Sequence, residues 1–188
     1  VYETALPFGA TRDDDDEEGC LMRSGDDRFS SAYATAAPKT DATISARIMS
    51  EGSIRRDYGL LLRVTDDWDD SFRYQPRAGY RCTVNTGRDG KADSTLSVEV
   101  LREDGSRSTL AGLNAPAFTL EPGTWYAVSG SAIGNHIQCR IFGATGWLGG
   151  AGAFDDTYGD GYFATWNYKD DSGPHWSVSY THLRAHET

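Results

Sequence analysis

The chain has 188 residues, a formal net charge of -10 and a sequence pI of about 4.7. That length fits one domain with a substantial hydrophobic core, and the 21 glycines with 12% aromatic residues favour short strands joined by turns. There is no apolar run long enough to span a bilayer. The acidic excess would repel a long polyanion, which argues against nucleic acid as a partner.

The first part of the chain is poorly patterned. Residues 1–25 include the acidic run 13–18, in which six consecutive like charges repel one another, so we expect an exposed or disordered arm. A cation site is the alternative reading of this run. The sequence begins at Val1 and does not open with a charged segment followed by an apolar one, so any signal peptide would lie upstream of it.

Strands are predicted in series after this arm. Alternation of apolar and polar residues indicates strands over 28–36, 41–49, 80–85, 95–101 and 106–111. Segment 57–64 is almost continuously apolar, which is typical of a central strand covered on both faces. The acidic loop 65–71 follows it.

The clearest element is a hairpin within residues 121–143. Pro122-Gly123 is a turn signal before one strand, and Gly134-Asn135 can form a two-residue turn before the next. In the second strand Ile137, Cys139 and Ile141 alternate with polar residues and form a buried face. We expect a glycine-rich loop over 143–152, a strand over 162–168, and the start of a closing strand over 174–178.

About ten short strands at hairpin distances, with no convincing helix, predict an all-β fold, an antiparallel two-sheet β-sandwich. Cys82 and Cys139 each alternate with the residues that form the buried face of a predicted strand, and Cys20 does not. The two are expected to act as small buried hydrophobic residues. A bridge between them stays open, because spacing does not determine pairing.

The carboxyl end differs in character. Residues 178–188 look like the translation of a sequencing adapter, so we predict a non-native read-through tail. His182 and His186 would then carry no metal-binding meaning.

The ordered set of motifs resembles the concanavalin A-like lectin/glucanase superfamily, and within it the laminin-G-like and sugar-hydrolase-like jelly rolls. The resemblance covers about residues 26–177 and rests on Tyr58-Gly-Leu-Leu-Leu-Arg63, the acidic loop, Asp104-Gly105, Gly123-Thr-Trp-Tyr126, the Gly134-Asn135 hairpin and Asp156-x-Thr-Tyr-x-x-Gly161. It implies a jelly roll from a secreted, multidomain protein. After His175-Trp176 the sequence departs from the family's pattern for the last strand. We therefore expect the closing strand to be missing, which would leave a sheet edge unpaired or the N-terminal sheet incomplete.

Catalytic motifs are missing from the sequence. Glucanases of this fold use Glu-x-Asp-x-x-Glu on one strand, and no such motif occurs. Glu99 is expected to be an isolated, solvated residue. There is no Gly-x-Ser-x-Gly elbow, so acyl transfer is also disfavoured. Whether the protein is an enzyme stays open, and the balance is against it.

Binding is better supported by residue type. Aromatic rings stack on the apolar faces of sugars while polar side chains bond their hydroxyls. Candidate ligand-binding residues are Trp68, Trp147, Tyr158, Arg63 and Asn167. Trp166 shares a strand face with Tyr162 and is assigned either to the core or to a site.

Ca²⁺ is the one cofactor for which the sequence offers ligands. It would need oxygens from two loops, and the candidates are Asp66, Asp69, Asp156 and Asp160. The alternative is that these carboxylates are simply solvated.

The first functional hypothesis is a non-catalytic, extracellular, cell-surface or periplasmic module that binds a glycan or a protein, with no nucleic-acid partner. The alternatives are a hydrolase using Asp66, Arg63 and Asn167, and a structural spacer.

Overall fold

The computed structural model describes thirteen stretches of the chain: 10–13, 20–23, 29–33, 37–49, 56–65, 68–69, 75–76, 78–85, 94–113, 119–121, 124–169, 180–182 and 184–187. Those residues form strands, turns and bends without a helix, so they include no apolar helix of membrane-spanning length. The strands are β1 (Ala10–Asp13), β2 (Cys20–Arg23), β3 (Phe29–Tyr33), β4 (Ala42–Met49), β5 (Arg56–Val64), β6 (Trp68–Asp69), β7 (Gln75–Pro76), β8 (Gly79–Asn85), β9 (Thr95–Leu101), β10 (Arg107–Leu113), β11 (Trp125–Ile133), β12 (His136–Gly143), β13 (Gly146–Phe154), β14 (Tyr162–Lys169), β15 (Tyr180–His182) and β16 (Arg184–Glu187).

Two antiparallel sheets form the body of the molecule. The six-stranded sheet has the order β10-β9-β8-β5-β14-β3, and the five-stranded sheet has the order β13-β12-β11-β4-β16. Smaller sheets join β1, β2 and β15, and β6 with β7. The predicted all-β antiparallel sandwich is confirmed.

The core lies between the two large sheets. Ile44, Val128 and Ile137 of the five-stranded sheet are buried in one cluster with Leu60 and Leu62 of the six-stranded sheet. Burial of apolar side chains at about 25 cal/mol per Å² is the main stabilising contribution in such a sandwich. The predicted central position of 57–64 is confirmed, because β5 lies between β8 and β14 and residues 58–64 are all buried.

A disulfide connects the sheets through this core. Cys82 on β8 and Cys139 on β12 are both fully buried, and their Cα atoms are 5.7 Å apart. The predicted burial of both cysteines is confirmed, and the structure selects the bridge that the sequence left open.

Part of the outer side of the six-stranded sheet is also buried. Trp166 is 7% exposed and packs where Gly59 leaves room, since a Cβ on Gly59 would stand 2.3 Å from the indole Nε1. The core reading of Trp166 is therefore confirmed. The expectation that Glu99 is solvated is wrong, because its side chain is 16% exposed and accepts hydrogen bonds from the buried Arg81, which in turn stacks on Trp166.

The glycine-rich segment 143–152 is not the predicted loop. After a turn at 144–145 it forms β13, which pairs with β12 along its length. Glycine has a low β propensity, but pairing with a well-formed strand outweighs that preference. Trp147 therefore lies on a strand and not in a loop.

The two ends of the chain also carry strands. Within the predicted arm 1–25, residues 10–13 and 20–23 pair as β1 and β2. Within the predicted tail 178–188, β16 pairs with β4 and forms one edge of the five-stranded sheet. The segments 86–93 and 170–179, with the predicted closing strand, lie outside the described residues. The boundaries 1–25, 26–177 and 178–188, and the read-through origin of the tail, stay predictions.

Candidate functional site

The hairpin β11–β12 has two faces of different chemistry. Ile137, Cys139 and Ile141 point into the core, as the alternation predicts. The opposite positions form what we call the outer face of the five-stranded sheet, where Gln138 pairs with Ser131 and Arg140 with Ser129. Small hydroxyl side chains in the middle of this face leave the longer polar side chains of β12 accessible.

A β-bulge brings Trp147 to the same face. β12 and β13 shift register between Ile141 and Phe142, so that Ile141 pairs with Gly149 and Phe142 with Trp147. Leu148 is the extra residue and packs against the core. Since side chains alternate along a strand, one extra residue reverses the direction of the side chain that precedes it. Trp147 is 68% exposed as a result.

A shallow groove of about 390 Å³ follows the β12–β13 pair beside Trp147. We call it the Trp147 groove, and it is lined by Gln138, Arg140, Phe142, Trp147, Gly150, Ala151 and Gly152. Its floor is open because two outward positions are glycines. A Cβ on Gly150 would stand 3.7 Å from both Trp147 Nε1 and Arg140 Cγ. A Cβ on Gly152 would stand 3.6 Å from Gln138 Cγ.

The polar groups in the groove have unused bonding capacity. Within the described part of the chain, the side chains of Gln138 and Arg140 make no hydrogen bond or ion pair. Arg140 is exposed and Gln138 is half-buried. A guanidinium supplies five N–H donors, and an amide supplies both donors and an acceptor. An aromatic wall beside such groups is suited to a ligand with an apolar face and a rim of hydroxyls.

One aromatic pair and one cation–π pair lie on the same sheet face outside the groove. The rings of His136 and Phe154 are 4.9 Å apart at one end of the hairpin. At the other end the Arg47 guanidinium lies 5.1 Å from the centre of the Trp125 ring. The face is therefore polar in its middle and aromatic towards its ends.

Arg63 lies elsewhere and is buried, with 2% exposure. It donates hydrogen bonds to the backbone oxygens of Thr40 at 2.6 Å, Gly134 at 2.7 Å and Tyr158 at 3.0 Å. It also forms a 3.1 Å ion pair with Asp41, whose Oδ1 accepts a further bond from the Gly134 N–H. Its guanidinium thus joins three segments of the chain, which indicates a structural role.

Tyr158 belongs to the same end of the sandwich. Its ring packs edge-on against Tyr80 at 5.6 Å, and its N–H donates to the Tyr80 hydroxyl. That hydroxyl donates to Asp155 Oδ1 at 2.7 Å. Burial and the Asp155 hydrogen bond raise the pKa of Tyr80 to about 12. Burial alone would raise the pKa of Asp155, but hydrogen bonds from Thr157 and Tyr80 hold it below its usual value.

Of the predicted binding residues, Arg63 and Tyr158 come together at the Gly134 end of β12, whereas Trp147 lies at its other end. Gly134 and Trp147 lie at opposite ends of β12, about 20 Å apart along the strand at about 3.3 Å per residue. Trp68 lies in β6, where it pairs with Pro76, and Asn167 lies in β14, where it pairs with Tyr58 and Ser30. The strand pairings give the backbone positions of Trp68 and Asn167.

The predicted metal ligands are only partly described. Asp156 and Asp160 are exposed, Asp69 lies in β6, and Asp66 lies outside the described residues. Among the residues that the structure describes, no three His, Cys, Asp or Glu side chains are placed to hold a metal ion.

The sequence did not identify Gln138, Arg140 and Phe142 as site residues. The signal was present in the hairpin itself, where these residues occupy the positions between Ile137, Cys139 and Ile141. Their position beside Trp147 does not follow from the sequence, because the glycine-rich segment that carries the tryptophan is predicted to be a loop.

Comparison with solved structures defines the fold. The carbohydrate binding module CBM66 from Bacillus subtilis matches with a TM-score of 0.63 at 16% identity, over 100% of both chains. The exoplasmic/lumenal domain of VIP36, bound to Ca²⁺ and Man3GlcNAc, matches with a TM-score of 0.62 at 11% identity, over 95% of this chain and 82% of that one. A family 16 endo-glucanase from Bacteroides ovatus matches with a TM-score of 0.60 at 11% identity, over 94% and 85%. No protein-family model and no curated protein matches the chain. The fold is a jelly-roll sandwich of the concanavalin A-like kind.

Proposed function

We propose that this protein is a non-catalytic carbohydrate-binding module whose ligand occupies the Trp147 groove. The observation that carries the proposal is the exposed indole of Trp147 beside a glycine floor and two polar side chains with free bonding groups. An exposed tryptophan held on a sheet face is costly to solvate and suits a ligand with an apolar surface.

The groove can supply both parts of sugar recognition. The indole offers a flat apolar surface for the C–H face of a sugar ring, while Arg140 and Gln138 offer donors and an acceptor for its hydroxyls. Gly150 and Gly152 allow the ring to approach the backbone, because any side chain there would stand in the groove. The strands hold these groups in fixed register, which favours binding without rearrangement.

Similar folds among known structures support this reading. CBM66 is a carbohydrate binding module, and the VIP36 domain binds Ca²⁺ and Man3GlcNAc. The glucanase neighbour raises the hydrolase alternative. Hydrolysis requires two carboxylates across the scissile bond, and neither β12 nor β13 carries an Asp or Glu. The binding proposal therefore fits this groove better than a catalytic one.

The disulfide supports an extracellular, cell-surface or periplasmic location. Disulfides persist in oxidising compartments and are rare in the cytosol. A glycan-binding module in such a location fits a role within a larger secreted or surface protein, where it would hold the other domains close to a polysaccharide.

Binding of the purified protein to a panel of soluble and insoluble polysaccharides tests the proposal. Removing about 80 Å² of stacked indole surface in Trp147→Ala corresponds to about 2 kcal/mol, or about thirtyfold in Kd. Phe154→Ala is the matched control, because Phe154 is 76% exposed on the same strand and lies outside the groove lining. Wild-type affinity in Trp147→Ala, or no binding to any glycan, would contradict the proposal.

A further inference from the structure

The outer face of the five-stranded sheet differs in charge from the rest of the chain. Acidic residues make up 28 of the 188. Within the five-stranded sheet, the edge strand β16 carries one, Glu187, and the other four strands, β4, β11, β12 and β13, carry none. The charged residues of these strands are Arg47 and Arg140. A protein of net charge -10 therefore presents a local face of positive charge around the Trp147 groove.

The two arginines lie on the same side of the sheet. Arg140 pairs with Ser129 and Arg47 pairs with Ala127, and both of these partners are outward positions on β11. Strands lie about 4.8 Å apart, so the two Cα atoms are separated by about 12 Å across and along the sheet. A single extended ligand could contact both guanidinium groups.

Among the described residues, none supplies a carboxylate that pairs with Arg140. Asp41 and Asp155 adjoin β4 and β13 and flank the β11–β12 turn, at the far end of β12 from Trp147. At the other end of the sheet, Glu121 precedes β11 by four residues and is exposed, and Glu51, two residues after β4, lies outside the described residues. Asp41 pairs with Arg63, and Asp155 accepts hydrogen bonds from Tyr80 and Thr157. Other outward groups facing the groove are hydroxyls, an amide and aromatic rings.

We infer that the ligand of the Trp147 groove is an anionic glycan, with carboxylate or sulfate groups that bind Arg140 and, in longer chains, Arg47. This inference rests on the proposed carbohydrate-binding function and specifies the class of sugar. A guanidinium forms paired, charge-assisted hydrogen bonds with carboxylate or sulfate oxygens, which are about twice as strong as those with a hydroxyl.

The net negative charge of the protein does not oppose such contacts. Screening limits interactions between exposed charges to about 8 Å at physiological ionic strength. The surrounding carboxylates slow the approach of a polyanion from a distance, but an anionic group inside the groove meets mainly Arg140. The face would therefore recognise acidic polysaccharide at short range without attracting nucleic acid at long range.

Pairs of polymers that differ only in charge provide the test. De-esterified polygalacturonate is compared with the fully methyl-esterified polymer, and sulfated carrageenan with its desulfated form, by titration calorimetry. We expect each charged polymer to bind at least about tenfold more tightly than its neutral counterpart. Preference for one charged polymer over the other distinguishes carboxylate from sulfate as the group recognised.

Arg140→Gln removes the charge and retains hydrogen-bonding groups. It should weaken binding of the charged polymer by about tenfold and binding of the neutral polymer by a smaller factor, because the glutamine can still bond a hydroxyl but cannot pair with an anionic group. Arg107→Gln is the matched control, since Arg107 is an exposed arginine on β10 in the other sheet. Arg47→Gln should weaken binding of long charged chains more than of short ones.

The outcomes separate the two proposals. Equal binding of charged and neutral polymers, unchanged in Arg140→Gln but lost in Trp147→Ala, would overturn the anionic ligand and leave the carbohydrate-binding function standing. Binding to no polymer of either kind would overturn both. Thermal unfolding at the wild-type midpoint, expected because Arg140 is exposed and pairs with no residue that the structure describes, shows that the variant is folded.

Discussion

Replacing Arg63 with methionine should destabilise the protein without affecting the groove. The change removes a buried guanidinium that serves three backbone oxygens and one carboxylate. Methionine fills most of the volume of the arginine stem but offers no donor. The carbonyl oxygens of Thr40, Gly134 and Tyr158 would each lose this partner.

The magnitude follows from the burial of each partner. Breaking a buried ion pair from one side typically costs about 3–5 kcal/mol, largely because the remaining charge is stranded. Here the remaining charge is Asp41, whose side chain is 41% exposed and can be hydrated. The lost bonds to carbonyl oxygens therefore dominate, and we expect about 3 kcal/mol, at the lower end of the range.

Urea denaturation measures this loss. With a slope of about 2 kcal/mol per molar urea, Arg63→Met should lower the unfolding midpoint by about 1.5 M. Asp41→Asn keeps an acceptor for the Gly134 N–H but leaves the buried Arg63 guanidinium without a counter-charge, so it should also destabilise the protein, by about 2–3 kcal/mol. A loss below about 1 kcal/mol in Arg63→Met, or glycan affinity that falls in the folded variant, would refute the structural role assigned to Arg63.

Three further changes probe the disulfide, the groove floor and the tyrosine–aspartate pair. The bridge between Cys82 and Cys139 closes a loop with a sequence separation of 57 and should contribute about 4 kcal/mol, so reductant should lower the urea midpoint of the wild type and leave the double Cys→Ala variant unchanged. Gly152→Val should abolish glycan binding in the polysaccharide panel at near wild-type stability, because its Cβ would enter the groove and have only the His136 ring, at 3.2 Å, as a close neighbour. The pKa of Tyr80 is about 12 in the folded protein and about 10 when unfolded, so stability should fall as pH rises through that window, and Tyr80→Phe should show a flatter decline in urea midpoints measured from pH 9 to 12.

The sequence was most informative where alternation and turn residues agreed. The hairpin of β11 and β12 was predicted with its turn at Gly134-Asn135 and its buried face at Ile137, Cys139 and Ile141, and the structure has all of these. Both signals depend on neighbouring residues, so they can be read without knowing the partner strands.

The prediction failed where structure depends on distant partners. β13 contains several glycines, and its pairing with β12 produces a strand that its own composition does not favour. Glu99 alternates as an outward residue, but its environment depends on Arg81 of the adjacent strand and on Trp166 from far along the chain. For Arg63, no local pattern shows that its hydrogen-bond partners lie 22 to 95 residues away.

The position of Trp147 shows how one residue can create a binding surface on a sandwich. In an unbroken ladder, Gly149 and Trp147 would both face the core, since they are two residues apart. The extra residue Leu148 reverses that parity, fills the core position itself and leaves the indole on the outer face, opposite Phe142. The groove therefore depends on strand register rather than on loop conformation. Substitutions of Leu148 that preserve the bulge should retain ligand binding, whereas a change that restores regular pairing would turn the indole inward and remove the site.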